Sequence, residues 1–202
     1  FEAFLSADYE ALDPVIADLS DEASAGDAHS NALLGFAHAW RLGESRRDPD
    51  AGEAVTAHAH HAVETFELAV EDFPDDARLL GFLGSFRQAV GDIDDDSALT
   101  RKGWFDTKRA AKRWPEWGLF TQAYGLVTLD TDHRLYDRGI ELLWENLDAC
   151  ALEEVPRTGL DWSEWADDVA TSSDLRVARA CGNTDVAPHN IEGFFVVFGD
   201  MY

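Results

Sequence analysis

The chain has 202 residues, 46% hydrophobic and 11% aromatic, and its 40 acidic against 16 basic groups give a formal net charge of −24. That apolar share at that length can bury a core, which excludes a disordered polyampholyte, and no run approaches the ~18 apolar residues of a membrane span. The acidic excess acts as a field against nucleic acid and anionic membranes, and suits a cationic partner or solubility in salty surroundings.

Apolar residues recur at steps of three and four almost throughout, so the chain reads as all-α, with helices joined by irregular loops. The start at Phe1 shows neither Met nor a signal-peptide pattern, which points to a processed or trimmed chain. A first helix begins near Asp8 and sets Leu12, Val15, Ile16 and Leu19 on one face. "HSNALLGFAHAWRLG" follows, with Gly43 as its stop. A polar loop then leads to "AVTAHAHHAVETFELAVEDF", ended by Pro74, and to "DARLLGFLGSFRQAVG", for which Gly91 is the expected cap. The helix from Ser97 to Trp114 stops at Pro115, which with Glu116 suits the first turn of "EWGLFTQAYGLVTL". "HRLYDRGIELLWENLDAC" comes next, and the pattern loosens from Ala151 to Ser163. "SSDLRVARAC" is a short helix, and "APHNIEGFFVVFGDMY" is a turn followed by a helix that ends without a cap.

Four constellations carry chemical suggestions. Arg101, Lys102, Lys108, Arg109, Lys112 and Arg113 gather within thirteen residues and include all three lysines. At four-residue spacing they make a helical stripe. Its first expected partner is the protein's own acidic surface; an anionic group on another molecule is the alternative. Asp92, Asp94 and Asp96 alternate as calcium-loop ligands do, but Ser97 and Gly103 stand where such a loop needs Gly and Glu, so a solvated acidic turn is expected. His58 and His61 share a helix face extended by Glu64, a partial zinc or copper set with no second cluster to complete it. Asp161, Glu164, Asp167 and Asp168 surround Trp162 and Trp165; a sugar cleft there is the enzymatic reading, and a core stripe the structural one. There is no GxSxG, phosphate loop, HExxH or CxxC. No catalytic residue and no cofactor are expected.

Cys150 and Cys181 each close a helical segment, and two such ends brought together meet the distance limits of a bridge. A disulfide and two separate buried thiols both stay open here. A bridge implies an oxidising compartment, periplasmic or extracellular; without it a cytoplasmic site stands.

Ala62, Phe66, Ala69 and Pro74 resemble the second helix of a tetratricopeptide repeat. Leu34-Gly35, Leu83-Gly84, Tyr124-Gly125 and Phe198-Gly199, with Tyr202 three residues on, resemble the large-residue–Gly pair of its first helix. The spacing departs from the family: the pair glycines are 49, 41 and 74 residues apart, against about 34. The resemblance is clearest over residues 28–146, and 192–202 resembles the first helix of a further, truncated repeat. It implies a single all-α domain over 1–202, with antiparallel hairpins stacked as a right-handed superhelix. It also implies a concave groove lined by His29, Phe36, Trp40, Arg78, Ser85, Gln88, Gln122 and Leu126. The function expected is a non-enzymatic scaffold for a protein, peptide or small ligand. The alternative is a periplasmic or extracellular metal or small-ligand carrier. Self-association stays open.

Overall fold

The computed structural model describes residues 12–44, 52–127 and 129–182, and among them it is all-α, with no strand. The helices are α1 (Leu12–Ser24), α2 (Ala28–Glu44), α3 (Gly52–Asp72), α4 (Ala77–Ile93) and α5 (Ser97–Arg113), then α6 (Pro115–Val127), α7 (Tyr136–Ala151), α8 (Ser163–Ala170) and α9 (Leu175–Ala180). The expected helix over 187–202 lies outside the described residues. Packing divides the chain into two compact units, Phe1–Asp106 and Thr107–Tyr202, where the sequence reads as one domain.

Local chemistry explains most helix ends. Asp76 accepts from the Arg78 amide at 2.8 Å and Asp174 from the Arg176 amide at 2.8 Å, which caps α4 and α9. Asp96 starts α5 by accepting from the Ala98 and Leu99 amides at 2.9 and 3.1 Å. Proline opens α6, where its missing N–H costs nothing. Two expectations are corrected. Helix α4 does not stop at Gly91 but runs on to Ile93. Gly91 is glycine because the chain abuts it there: an added Cβ would stand 2.6 Å from the Thr100 nitrogen and 2.8 Å from the Asp96 carbonyl. The second correction is Gly43, read as a stop, since α2 runs through it to Glu44.

In the first unit α1 packs on α2, α2 on α3 and α3 on α4. Phe66 of α3, fully buried, is the centre of the core. Its ring lies 5.3 Å from Phe36 edge-on, 5.8 Å from Phe82 in a stack and 6.0 Å from Phe86. Ala59, Ala62 and Ala69 are buried on the same helix, so the large ring sits between small residues that let neighbouring backbones close in.

In the second unit α6 packs on α7, and α9 touches α6, α7 and α8. Leu142, Leu143 and Leu147 of α7 are buried with Val169 and Val177. The buried Asn146 donates from Nδ2 to the Glu116 carbonyl at 2.9 Å, which ties α7 to the first turn of α6. Cys150 and Cys181 are joined as a disulfide with Cα atoms 5.7 Å apart, fastening the end of α9 to α7.

One device recurs in both units. A Cβ on Gly35 would stand 2.7 Å from the Phe66 ring, and one on Gly103 would meet the Gly84 carbonyl and stand 2.8 Å from the Gln88 nitrogen. A Cβ on Gly118 would lie 2.6 Å from the Ala111 Cα, and one on Gly139 2.8 Å from the Leu126 Cβ. Helices α2 and α3, α4 and α5, α5 and α6, and α6 and α7 therefore each touch at a glycine. For Gly125, the glycine of a resembling pair, no described atom lies within 4 Å of an added Cβ.

Candidate functional site

The eight groove positions separate by exposure. His29 is exposed in the first turn of α2, with its ring 5.0 Å from Phe73. Arg78 is exposed in the first turn of α4 and its Nη2 donates to Asp76 Oδ2 at 2.6 Å. Trp40 and Ser85 are half-buried. Phe36 is held in the aromatic core, and Gln88 lies against Gly103 with its side chain donating to the Gly84 carbonyl at 3.3 Å. Gln122 and Leu126 of α6 are buried, Leu126 against Gly139. Four of the eight are thus taken up by helix packing, while His29 and Arg78 present polar groups to solvent.

The histidines of α3 do different work from each other. His38 of α2 is 6% exposed, and its Nδ1 lies 2.9 Å from Nδ1 of His58. The His61 ring lies 5.2 Å from the His38 ring and its Nδ1 is 3.2 Å from Glu64 Oε2. Burial, then the charges of its imidazole neighbours, pushes His38 down to about 4. Burial and the Arg41 guanidinium lower His58 as well. His60, one residue from His61, goes the other way. Its Nδ1 donates to the Thr56 carbonyl and its Nε2 meets Asp94 Oδ2, both at 2.9 Å, and these two acceptors raise it. Among the described residues no three His, Cys, Asp or Glu side chains form a group able to hold a metal ion, so neither His58 with His61 nor the Asp92–Asp96 run builds one.

The acidic run is instead divided among local partners. Asp92 accepts from Thr100 Oγ1 at 3.2 Å, Asp94 meets His60, and Asp96 caps α5. Around the tryptophan pair the outcome is similar. Trp162 and Trp165 are half-buried with rings 6.1 Å apart in a stack, Trp165 Nε1 donates to Glu153 at 2.6 Å, and Asp161 accepts from Ser163. Asp161 thus serves a turn, and Glu153 a ring nitrogen.

All six residues of the basic stretch are exposed on α5. Lys102 Nζ lies 3.7 Å from Glu67, an internal acidic partner of the expected kind. Lys112 and Arg113 close the helix, where positive charge suits the dipole. Reversal of two lysines, Lys108→Glu with Lys112→Glu, takes the formal charge from −24 by a further four. It is expected to lower Tm by about 2–4 °C at low salt, an effect that shrinks in ~1 M KCl as screening shortens. Thermal melts at the two salt levels check this, and unchanged melts would show that the stripe does not serve the fold.

Sequence reading missed a buried ion pair. Arg87, the single charge inside the apolar run of α4, donates from Nη1 to Asp106 of α5 and from Nη2 to Glu67 of α3 at 2.5 Å. An arginine flanked by "LLGFLGSF" is the signal that could have found it.

These observations define the class: an all-α protein of consecutive packed helices, stapled by a disulfide, in which no described helix is long and apolar enough to cross a membrane. The chain matches no protein-family model, no curated protein and no solved structure in comparison with each.

Proposed function

We propose that the chain is a tetratricopeptide-like scaffold, its antiparallel hairpins stacked in a right-handed superhelix, that binds a protein or peptide partner and performs no chemistry. The observation that carries this reading is the recurring glycine contact between consecutive helices. Gly35 on the Phe66 ring, Gly103 on Gly84, Gly118 on Ala111 and Gly139 on Leu126 each seat one helix closely against the next. Along α2 and α3 the partners run in opposite senses: His29 meets Phe73, Gly35 meets Phe66 and His38 meets His58, which supports a hairpin. Stacked hairpins build wide binding faces from their first helices. In the first unit those helices are α2 and α4, and His29 and Arg78 are the exposed polar groups we assign to the binding face, with the half-buried Trp40 and Ser85 further along the same two helices. The disulfide supports work in an oxidising compartment, the periplasm or outside the cell.

The paired variant His29→Glu, Arg78→Glu tests this. Both residues are exposed, and circular dichroism first confirms that α4 survives the loss of the Arg78–Asp76 pair. Wild-type protein used as bait in its native surroundings should retain a discrete polypeptide, and the variant should lose it at least tenfold. Equal retention by both would remove the binding face from these residues. A stoichiometric metal or small molecule in the native mass spectrum would support the carrier instead.

A further inference from the structure

We propose that His38 and His58 form a proton-operated latch between α2 and α3, closed while one of the two Nδ1 atoms is bare and released when both imidazoles are charged. The geometry imposes the rule. Two Nδ1 atoms 2.9 Å apart can share only one hydrogen. One ring donates and the other must accept, so at most one of the pair is an imidazolium while the bond exists. A second proton replaces the bond with two cations in contact.

The surroundings make that replacement costly. His38 is 6% exposed and cannot turn its charge to water without leaving α3. From α3 the His61 ring lies 5.2 Å away, a third imidazole on the same spot. From α2 Arg41 adds a fixed positive charge beside His58. Two acids face the group among the described residues. Asp13 of α1 lies 3.4 Å from Arg41 Nε and Glu64 of α3 pairs with His61, and their side chains are 62% and 71% exposed. Carboxylates so open to solvent are screened and offset little of the charge gathered on the rings. His60, which gains a proton favourably through Thr56 and Asp94, works against acid opening and lies outside the latch.

The opening is local because the two ends of the contact are built differently. Towards the other end of the helix pair, Gly35, Phe36 and Phe66 form an apolar contact that no proton affects. Acid therefore frees the later turns of α2 from the early turns of α3 while the aromatic core stays shut. Stability held by a group with a lowered imidazole value is complete above the ordinary value near 6.5 and is lost as pH falls towards about 4. The sign is thus release on acidification.

Hydrogen exchange corrected for its intrinsic pH dependence reads this directly. Between pH 7 and pH 5 the amides of residues 39–42 should exchange about 20-fold faster, the ratio that linkage gives for one imidazole at about 4 when closed and at its ordinary 6.5 when open. Amides in the middle of α4 should change less than threefold. His38→Leu should abolish the difference, with circular dichroism at pH 7.5 confirming the fold. If that variant does not fold, His58→Leu, in the wetter half of the pair, should reduce the acceleration several-fold. His60→Gln should leave it in place. Equal acceleration of α2 and α4, or an undiminished effect in a folded His38→Leu or His58→Leu protein, would overturn the latch.

Discussion

Asp106→Ala is expected to destabilise the first unit by about 3–5 kcal/mol, among the largest effects open to a single substitution here. The Arg87 side chain is 8% exposed and the Asp106 side chain 7%, so the pair lies inside the contact of α4 and α5. Removing the carboxylate leaves a guanidinium in low dielectric, where an uncompensated charge costs far more than the pair contributes. Glu67 still holds Nη2, but its side chain is 43% exposed and its attraction is diluted by water. The Arg87 Nε has no hydrogen-bond partner, which leaves the group no spare contact to fall back on. Replacing both residues, Arg87→Leu with Asp106→Leu, should cost much less than Asp106→Ala alone. Urea unfolding of the three proteins gives the comparison. A single variant that loses under 1 kcal/mol would show that the arginine escapes to solvent, and that α5 is not held down by this pair.

Helices were legible in the sequence because the apolar period of 3.6 is written along most of the chain, and because Pro74 and Pro115 break it where helices end. Gly91 was misread for a physical reason. A glycine after a periodic run signals a helix stop, but here the missing side chain makes room for the start of α5. The repeat resemblance singled out Gly35 and Phe66 separately, and the packing of α2 on α3 brings them into one contact. The functional groups were less legible. "HAHH" drew attention to His58 and His61 as ligands, while the residue that matters most to them, His38, stands alone between two alanines twenty residues earlier. Only the packing register of α2 on α3 brings it to His58. Arg87 and Asp106 are likewise joined by a helix contact across 19 residues, with no local pattern to announce it.

Loss of the Cys150–Cys181 bridge, by Cys150→Ala with Cys181→Ala, should destabilise the second unit by about 3–4 kcal/mol, the loop entropy of some thirty residues. Its position explains why the effect should approach that full value. Cys150 is fully buried in the last turn of α7 and Cys181 is 9% exposed just after α9, so the bridge joins two packed ends and not a loose loop. Helix α9 has six residues, too few to persist alone, and its apolar contribution is chiefly Val177 and Ala180. Its other ties are polar and wetter: Arg176 Nη2 donates to Glu116 at 3.0 Å, and Trp114 Nε1 to the Arg176 carbonyl at 3.2 Å. Without the bridge, α9 and then α8 should lose hydrogen-exchange protection ahead of α6 and α7. Melting by circular dichroism should fall by about 6–15 °C, and reduction of the wild-type protein should reproduce the same curve. Thiol titration of unfolded, unreduced protein supplies the independent check. No free thiol is expected, and two would mean that the chain folds without the bridge and that the argument for an oxidising compartment falls with it.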